Sequence, residues 1–196
     1  MSFEQLRRLG VELEHAWRAI DYDVDAFPAL AGEQLAAAQL DAEVDFAEVV
    51  AQLLNPETAL LQEPDFGFPD LPLVPYRGAC FHLQLLVWAS GSMAVHQHPF
   101  AGAFRVLAGS SVAATFSLDP VQRVSQQVRV VRARTEAVEL LATGDCRPIL
   151  PGAGLTHAVY HCGLPSVTLV ARSHHVPWTA DDQVLFRPSI LLDARL

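Results

Sequence analysis

The sequence contains no lysine: every one of its 13 basic residues is an arginine. That excludes Schiff-base chemistry, lysine-bound pyridoxal phosphate and the lysine of a phosphate loop. Cysteine is scarce. Cys80, Cys146 and Cys162 are an odd number without a CxxC pair, which argues against a disulfide framework and a thiolate zinc site and leaves each to be read as a small buried hydrophobe. No apolar run reaches the length of a membrane span. The N-terminus, MSFEQLRRLGVELEHAW, carries acids and arginines in place of an apolar signal core, so the expectation is a soluble, cytoplasmic chain with no membrane partner. Net charge is −9 and the arginines are scattered, so a basic footprint for nucleic acid is missing as well. One further gap is local: from Leu71 to Leu118 there is neither aspartate nor glutamate.

What is present suits one folded unit. A chain of 196 residues, 51% hydrophobic and 18% charged, is long enough for one domain with a real core, or a core plus a helical appendage. Phe3, Leu6, Leu9, Leu13 and Trp17 recur at three- or four-residue steps, the period of a helix with one apolar face, interrupted by Gly10. FPALAGEQLAAAQL predicts a second helix, and DFAEVVAQLLN a third, with Asp45 as N-cap and Asn55-Pro56 as its stop. From Gln62 prolines and glycines break any helical period, as in a connector. Beyond it come short runs rich in Val, Leu, Phe and Thr: CFHLQLLVW, SMAVHQH, AFRVLAG, SVAATFSL, QQVRVVRAR, AVELLATG, HAVYHC and PSVTLVARS. Many short strands between turn residues predict an all-β sandwich or barrel. The expected organisation is a helical segment over residues 1–70, packed on a barrel over 71–196.

The stretch VHQHPFAGAFRVLAG sets His96 and His98 one residue apart. On a strand both rings project to one side, roughly 7 Å apart along the chain, and can reach one ion. The plainer reading is two surface histidines on a loop. Downstream, GDCRPILPGAGLTHAVYH delivers His157 from a glycine-rich turn onto the start of another strand.

Together these stretches resemble the paired motifs of the cupin superfamily, the first mapping to Gly91, His96, His98 and Gly109, the second to Gly144, Pro151, Gly154 and His157. His161 falls where many members have asparagine. The resemblance covers residues 75–175. It implies a mainly β fold, a double-stranded β-helix or jelly-roll barrel whose two motifs lie on facing strands. It also implies a metal held by His96, His98 and His157, with other positions open for water, substrate or dioxygen. Neutral imidazoles suit iron(II), zinc, nickel or copper. Where most cupins carry a glutamate ligand this chain has Gly102 and Ala103, and no nearby acid can substitute. Three neutral ligands leave a divalent ion its full charge, which favours an anionic substrate such as a thiolate or carboxylate.

A three-histidine set without glutamate resembles the thiol dioxygenases of the cysteine dioxygenase group. Those proteins also begin with helices and then present a Tyr/Arg element and a strand ending in Trp; here these are Tyr76, Arg77 and Trp88. The resemblance implies that Arg77 pairs with a substrate carboxylate, for which a guanidinium fork is suited; the alternative is a solvated arginine at a strand entrance. The late strand departs from the family: Thr168, Val170 and Arg172 stand in place of its serine, histidine and tyrosine. If those three face the cavity, Arg172 adds a second positive charge near the metal. His82, Gln84, Leu86 and Trp88 share one strand face, expected to line the cavity. Tyr160 lies on the face opposite His157 and reads as packing; His161 shares that of His157 and could support it. His15 reads as a helix-surface residue. The neighbours His174 and His175 point to opposite sides and do not chelate. Arg123, Arg129, Arg132 and Arg134 read as a solvated strand face.

The function implied is a mononuclear iron(II) dioxygenase that oxidises a small thiol carboxylate to a sulfinate. Its partners would be that small molecule and dioxygen, with a possible homodimer. A non-thiol three-histidine dioxygenase, a non-catalytic metal-containing binding protein, and a Lewis-acid isomerase or hydrolase are the alternatives.

Overall fold

The structure, a computed structural model, describes residues 2–38, 40, 45–56, 71–89, 91, 94–125, 128–174, 176, 184–187 and 190–193. Three helices come first: α1 (Phe3–Arg18), α2 (Phe27–Ala37) and α3 (Phe46–Leu53). Helix α1 starts in a capping box, Ser2 Oγ accepting from the Gln5 backbone at 3.2 Å and Gln5 Oε1 from the Ser2 backbone at 2.6 Å. Its five periodic apolar residues are all buried. Asp45 caps α3 as expected, its carboxylate accepting from the Ala47 and Glu48 backbone N–H groups.

Eleven strands follow: β1 (Leu71–Arg77), β2 (Phe81–Trp88), β3 (His96–Gln97), β4 (Gly102–Ala108), β5 (Ser110–Arg123), β6 (Val128–Ala142), β7 (Cys146–Ile149), β8 (Thr156–His161), β9 (Ser166–Ser173), β10 (Val184–Arg187) and β11 (Ile190–Asp193). Within β2 to β9 the first strand pairs with the last, the second with the second-last, and so inward to the β5–β6 hairpin. Eight strands thus form one long antiparallel ribbon. Its successive pairs fall alternately into two sheets, one ordered β1-β2-β9-β4-β7 and the other β6-β5-β8-β3. That winding is a double-stranded β-helix, the jelly roll expected from the sequence. The β10–β11 hairpin bridges β3 and β6 and closes the second sheet into a ring.

The first sheet is covered on both sides, which is why all eight residues of β2 are buried. Its outer face presents Leu83, Leu85, Val87, Ala103, Leu107, Leu169 and Ala171 to the helices, and Trp17, Phe27 and Phe81 knit the two layers. Its inner face, with the second sheet, encloses a separate core around Leu86, Trp88, Phe104, Val106 and Val170. Helix α1 sits so close that a Cβ on Gly10 would fall 2.2 Å from Tyr76 Cγ. The glycine that interrupts the helical pattern is therefore what admits the Tyr76 ring.

Several elements differ from the sequence expectation. The stretch read as connector contains β1 despite Pro72 and Pro75; β1 is an edge strand, where a missing N–H costs no ladder bond, and its register shifts between Leu73 and Tyr76. The rest of that connector, residues 62–70, lies outside the described residues. The two runs read as separate strands, QQVRVVRAR and AVELLATG, are joined in the single strand Val128–Ala142, because Thr135-Glu136 is a bulge in the β5–β6 ladder and not a turn; Gln126 and Gln127 lie outside the described residues. Cys80 and Cys146 are half-buried, but Cys162 is exposed, so the buried-hydrophobe reading fails for it. Among the described residues, no helix is long and apolar enough to cross a membrane.

Candidate metal centre

Strands β3 and β8 are hydrogen-bonded neighbours in the second sheet, with His96 directly opposite His157. The expectation of facing strands is corrected accordingly: His96 and His157 are partners within one sheet, and His98 lies just past the end of β3. His98 follows two residues after His96 and returns to the same side. The turn of the second motif grips the end of the first, since the Gly152 N–H donates to the His98 carbonyl at 2.7 Å. Outside the cluster, Gln97 Nε2 donates to Thr156 Oγ1 at 2.8 Å and fixes the register of the two strands.

The three buried side chains converge through the same atom. His98 Nε2 lies 2.9 Å from His157 Nε2, which lies 3.1 Å from His96 Nε2. A linear ring hydrogen bond satisfies only one of these contacts, since a neutral imidazole nitrogen carries one proton or one lone pair and the His157 nitrogen has two neighbours. The His96 tautomer is settled by its surroundings. Its Nδ1 is 2.8 Å from the Ala94 carbonyl, which can only accept, so the proton is on Nδ1 and Nε2 offers a lone pair. Separations near 3 Å are also what neighbouring ligands about 2.1 Å from one ion would have. The donor set fits a borderline transition metal.

Burial pushes the imidazoles toward the neutral form a metal needs: His96 down from an ordinary 6.5 to about 4 and His157 to about 3. His98 falls well below 6.5, through burial first and then the nearby His96, His157 and Arg172. His82, deep in the first sheet, is lowered to about 3 by burial, with Arg172, Arg77 and His174 adding to it. These groups set a pH dependence on the metal-free protein. Between about 4 and 6.5 the unfolded chain binds these protons and the folded one refuses them, so stability falls as pH drops through that window. Thermal unfolding in chelator should therefore show a lower Tm at pH 5 than at pH 7.5; an equal or higher value would contradict the neutral buried cluster.

The cluster forms one wall of a cavity that lies between the two sheets. Leu86, Trp88, Thr168 and Val170 line it, as strand alternation predicts, whereas His82 and Gln84 of the same β2 face and Arg172 of β9 are not among the lining residues, so the expectation for those three is corrected. Tyr76 and Arg77 are not brought to that wall: Tyr76 packs on α1 and Phe81, and Arg77 is exposed at the end of β1. Arg172 sits beside the cluster, its guanidinium 4.5 Å above the Phe100 ring, with Phe100 in turn 4.7 Å from the His98 ring. Tyr160 is 58% exposed, so it is not a packing residue. His161 is buried, with Nδ1 2.9 Å from Ser111 Oγ and its ring stacked 4.6 Å from Trp88. It lies four residues along β8 from His157, too far to join the three nitrogens. His174 is exposed, and His175 lies outside the described residues.

Ser111 and Phe104 also line the cavity and were missed in the sequence. For Ser111 the signal was there, since it alternates with Ala113 and Thr115, and Thr115 pairs with His157. The missing acid has a structural cause. Gly102 faces inward, but a Cβ there would lie 2.0 Å from the Ala171 carbonyl oxygen. Ala103 faces the helices. Neither position can send a carboxylate to the cluster.

No protein-family model and no curated protein matches the chain. Among solved structures, the chain is similar to hydroquinone 1,2-dioxygenase from a Sphingomonas species, at 12% identity over 57% of this chain and 70% of that one, with a TM-score of 0.42. A Klebsiella pneumoniae protein with a double-stranded β-helix domain is similar at 16% identity over 67% and 89%, TM-score 0.39. Oxalate decarboxylase from Bacillus subtilis is similar at 13% identity over 55% and 24%, TM-score 0.36. Likenesses this distant say nothing of chemistry. By its own strand pairing the chain is a double-stranded β-helix with a three-histidine cluster inside its barrel.

Proposed function

We propose that His96, His98 and His157 hold a divalent transition-metal ion, iron(II) foremost, and that the protein is a metal-dependent dioxygenase acting on a small molecule in the adjoining cavity. The observation that carries this reading is the convergence of three neutral imidazole nitrogens, without a carboxylate, on the wall of an apolar cavity. Bound there, iron(II) would supply the activation of dioxygen that no side chain can provide. The chain's own part is to hold three lone pairs on one point and to keep them unprotonated by burial. The carbonyl of Ala94 orients one of the rings, and the apolar wall keeps bulk water from the reacting groups. Because no ligand carries charge, the site attracts an electron-rich substrate group.

A narrower reading, in which a small thiol carboxylate takes both oxygen atoms of dioxygen on sulfur to give the sulfinate, has one observation in its favour. Arg172, and not Arg77, lies close enough to His98 to depress its pKa and to meet a carboxylate there.

Oxygen uptake by the iron-loaded full chain tests the proposal, with a panel of cysteine, 3-mercaptopropionate, phenols and diketones. Substrate-dependent uptake with iron, absent with zinc, is expected. Turnover without oxygen on the zinc or nickel form would replace the oxygenase by a Lewis-acid enzyme. Ligand binding with no uptake would make it a binding protein.

A further inference from the structure

The cavity has two polar poles. One is the three-histidine cluster. The other is Ser111 with His161, paired across β5 and β8 four residues beyond the Thr115–His157 pair, so about 13 Å along the strand. Both are buried, their side chains meet at 2.9 Å, and Trp88 holds the His161 ring by near-parallel stacking at 21°. Apart from the Thr168 hydroxyl and the Trp88 indole, the rest of the lining is apolar, with Leu86, Phe104, Val106, Ile149 and Val170 among it. No aspartate, glutamate or arginine is among the described residues that line the cavity.

The geometry points to an uncharged, largely apolar substrate, its reacting end at the three histidines and a distal hydroxyl or carbonyl hydrogen-bonded by His161 and Ser111. This rests on the reading above only in taking the cavity as the place where substrate sits. The chemistry follows from the lining. An apolar belt favours an apolar body by the area it removes from water. A charged group in that belt or at the Ser111–His161 pole would lose hydration with no charged side chain in the lining to replace it, Arg172 standing beside the three histidines and outside the lining. A hydroxyl or carbonyl loses little, because a serine hydroxyl and an imidazole nitrogen are both able to meet it. Sites of this kind discriminate against analogues that lack the polar group, since their own buried polar atoms are then left without the ligand's. His161 and Ser111 are therefore specificity-determining residues and not metal ligands.

Three probes of nearly the same body test this: 4-ethylphenol, ethylbenzene and 4-ethylbenzoate, titrated into the full chain both with chelator and after iron(II) loading. Affinity is read by calorimetry, with metal content measured on the same samples. The phenol should bind about tenfold more tightly than either analogue. His161→Phe, which keeps a ring to stack on Trp88, and Ser111→Ala should each reduce the phenol toward ethylbenzene while leaving iron content unchanged. Equal binding of phenol and ethylbenzene, or tighter binding of the benzoate, would overturn the proposal. Tight phenol binding in a protein that takes up no iron would uphold it and sink the metal reading; normal iron content without phenol preference would do the reverse.

Discussion

Replacing His157 by alanine should take the iron content from one per chain to a small fraction of that, with metal affinity down by more than about a hundredfold. His157 is the shared corner of the cluster, its Nε2 lying against those of both His98 and His96. Two remaining imidazoles do not define a three-ligand face. Stability should move the other way. His157→Leu replaces a desolvated polar ring among like rings by an apolar group of similar size, so the metal-free variant should melt no lower than the metal-free parent. A histidine serving only as core packing would show the opposite pattern, losing stability with no change in metal. Elemental analysis and thermal unfolding, run together, separate the two; stoichiometric iron in His157→Ala would remove this residue from the ligand set.

Gly102→Ala should be the most damaging small substitution in the barrel. Gly102 pairs with Arg172 across β4 and β9, and the added methyl would meet the Ala171 carbonyl oxygen at 2.0 Å. Backbone on both sides cannot yield as a side-chain tip would. The cost should be about 3 kcal/mol or more, which in a chain of this size lowers Tm by about 6–12 °C or prevents folding. An unchanged Tm would mean the two strands do not approach as described. The same contact accounts for the missing glutamate: a longer side chain at this position is excluded before its chemistry can matter.

Much of this arrangement is legible in the sequence. The helical period of Phe3 to Trp17, the Asp45 cap and the alternation of His96 with His98 are local signals, and the structure retains them because tertiary packing reinforces each. What was not legible is non-local. Pro72 and Pro75 argue against a strand unless its edge position is known. Glu136 looks like a break in β6 unless its partner across the ladder is seen to skip it. The surroundings of Tyr76 depend on how closely Gly10 lets α1 approach, which no spacing within the strand reveals. The short strands β7, β10 and β11 carry too few residues for a period to show. The second pole of the cavity needed the β5–β8 register before Ser111 and His161 could be seen as a pair.

The account stands most directly on whether the three imidazoles bind an ion. Protein purified without added metal, then titrated anaerobically with iron(II) after chelator treatment, should take up one ion per chain, and the His98→Ala variant should take up none. No saturable uptake by the parent protein, or equal uptake by the variant, would contradict the metal centre proposed for His96, His98 and His157.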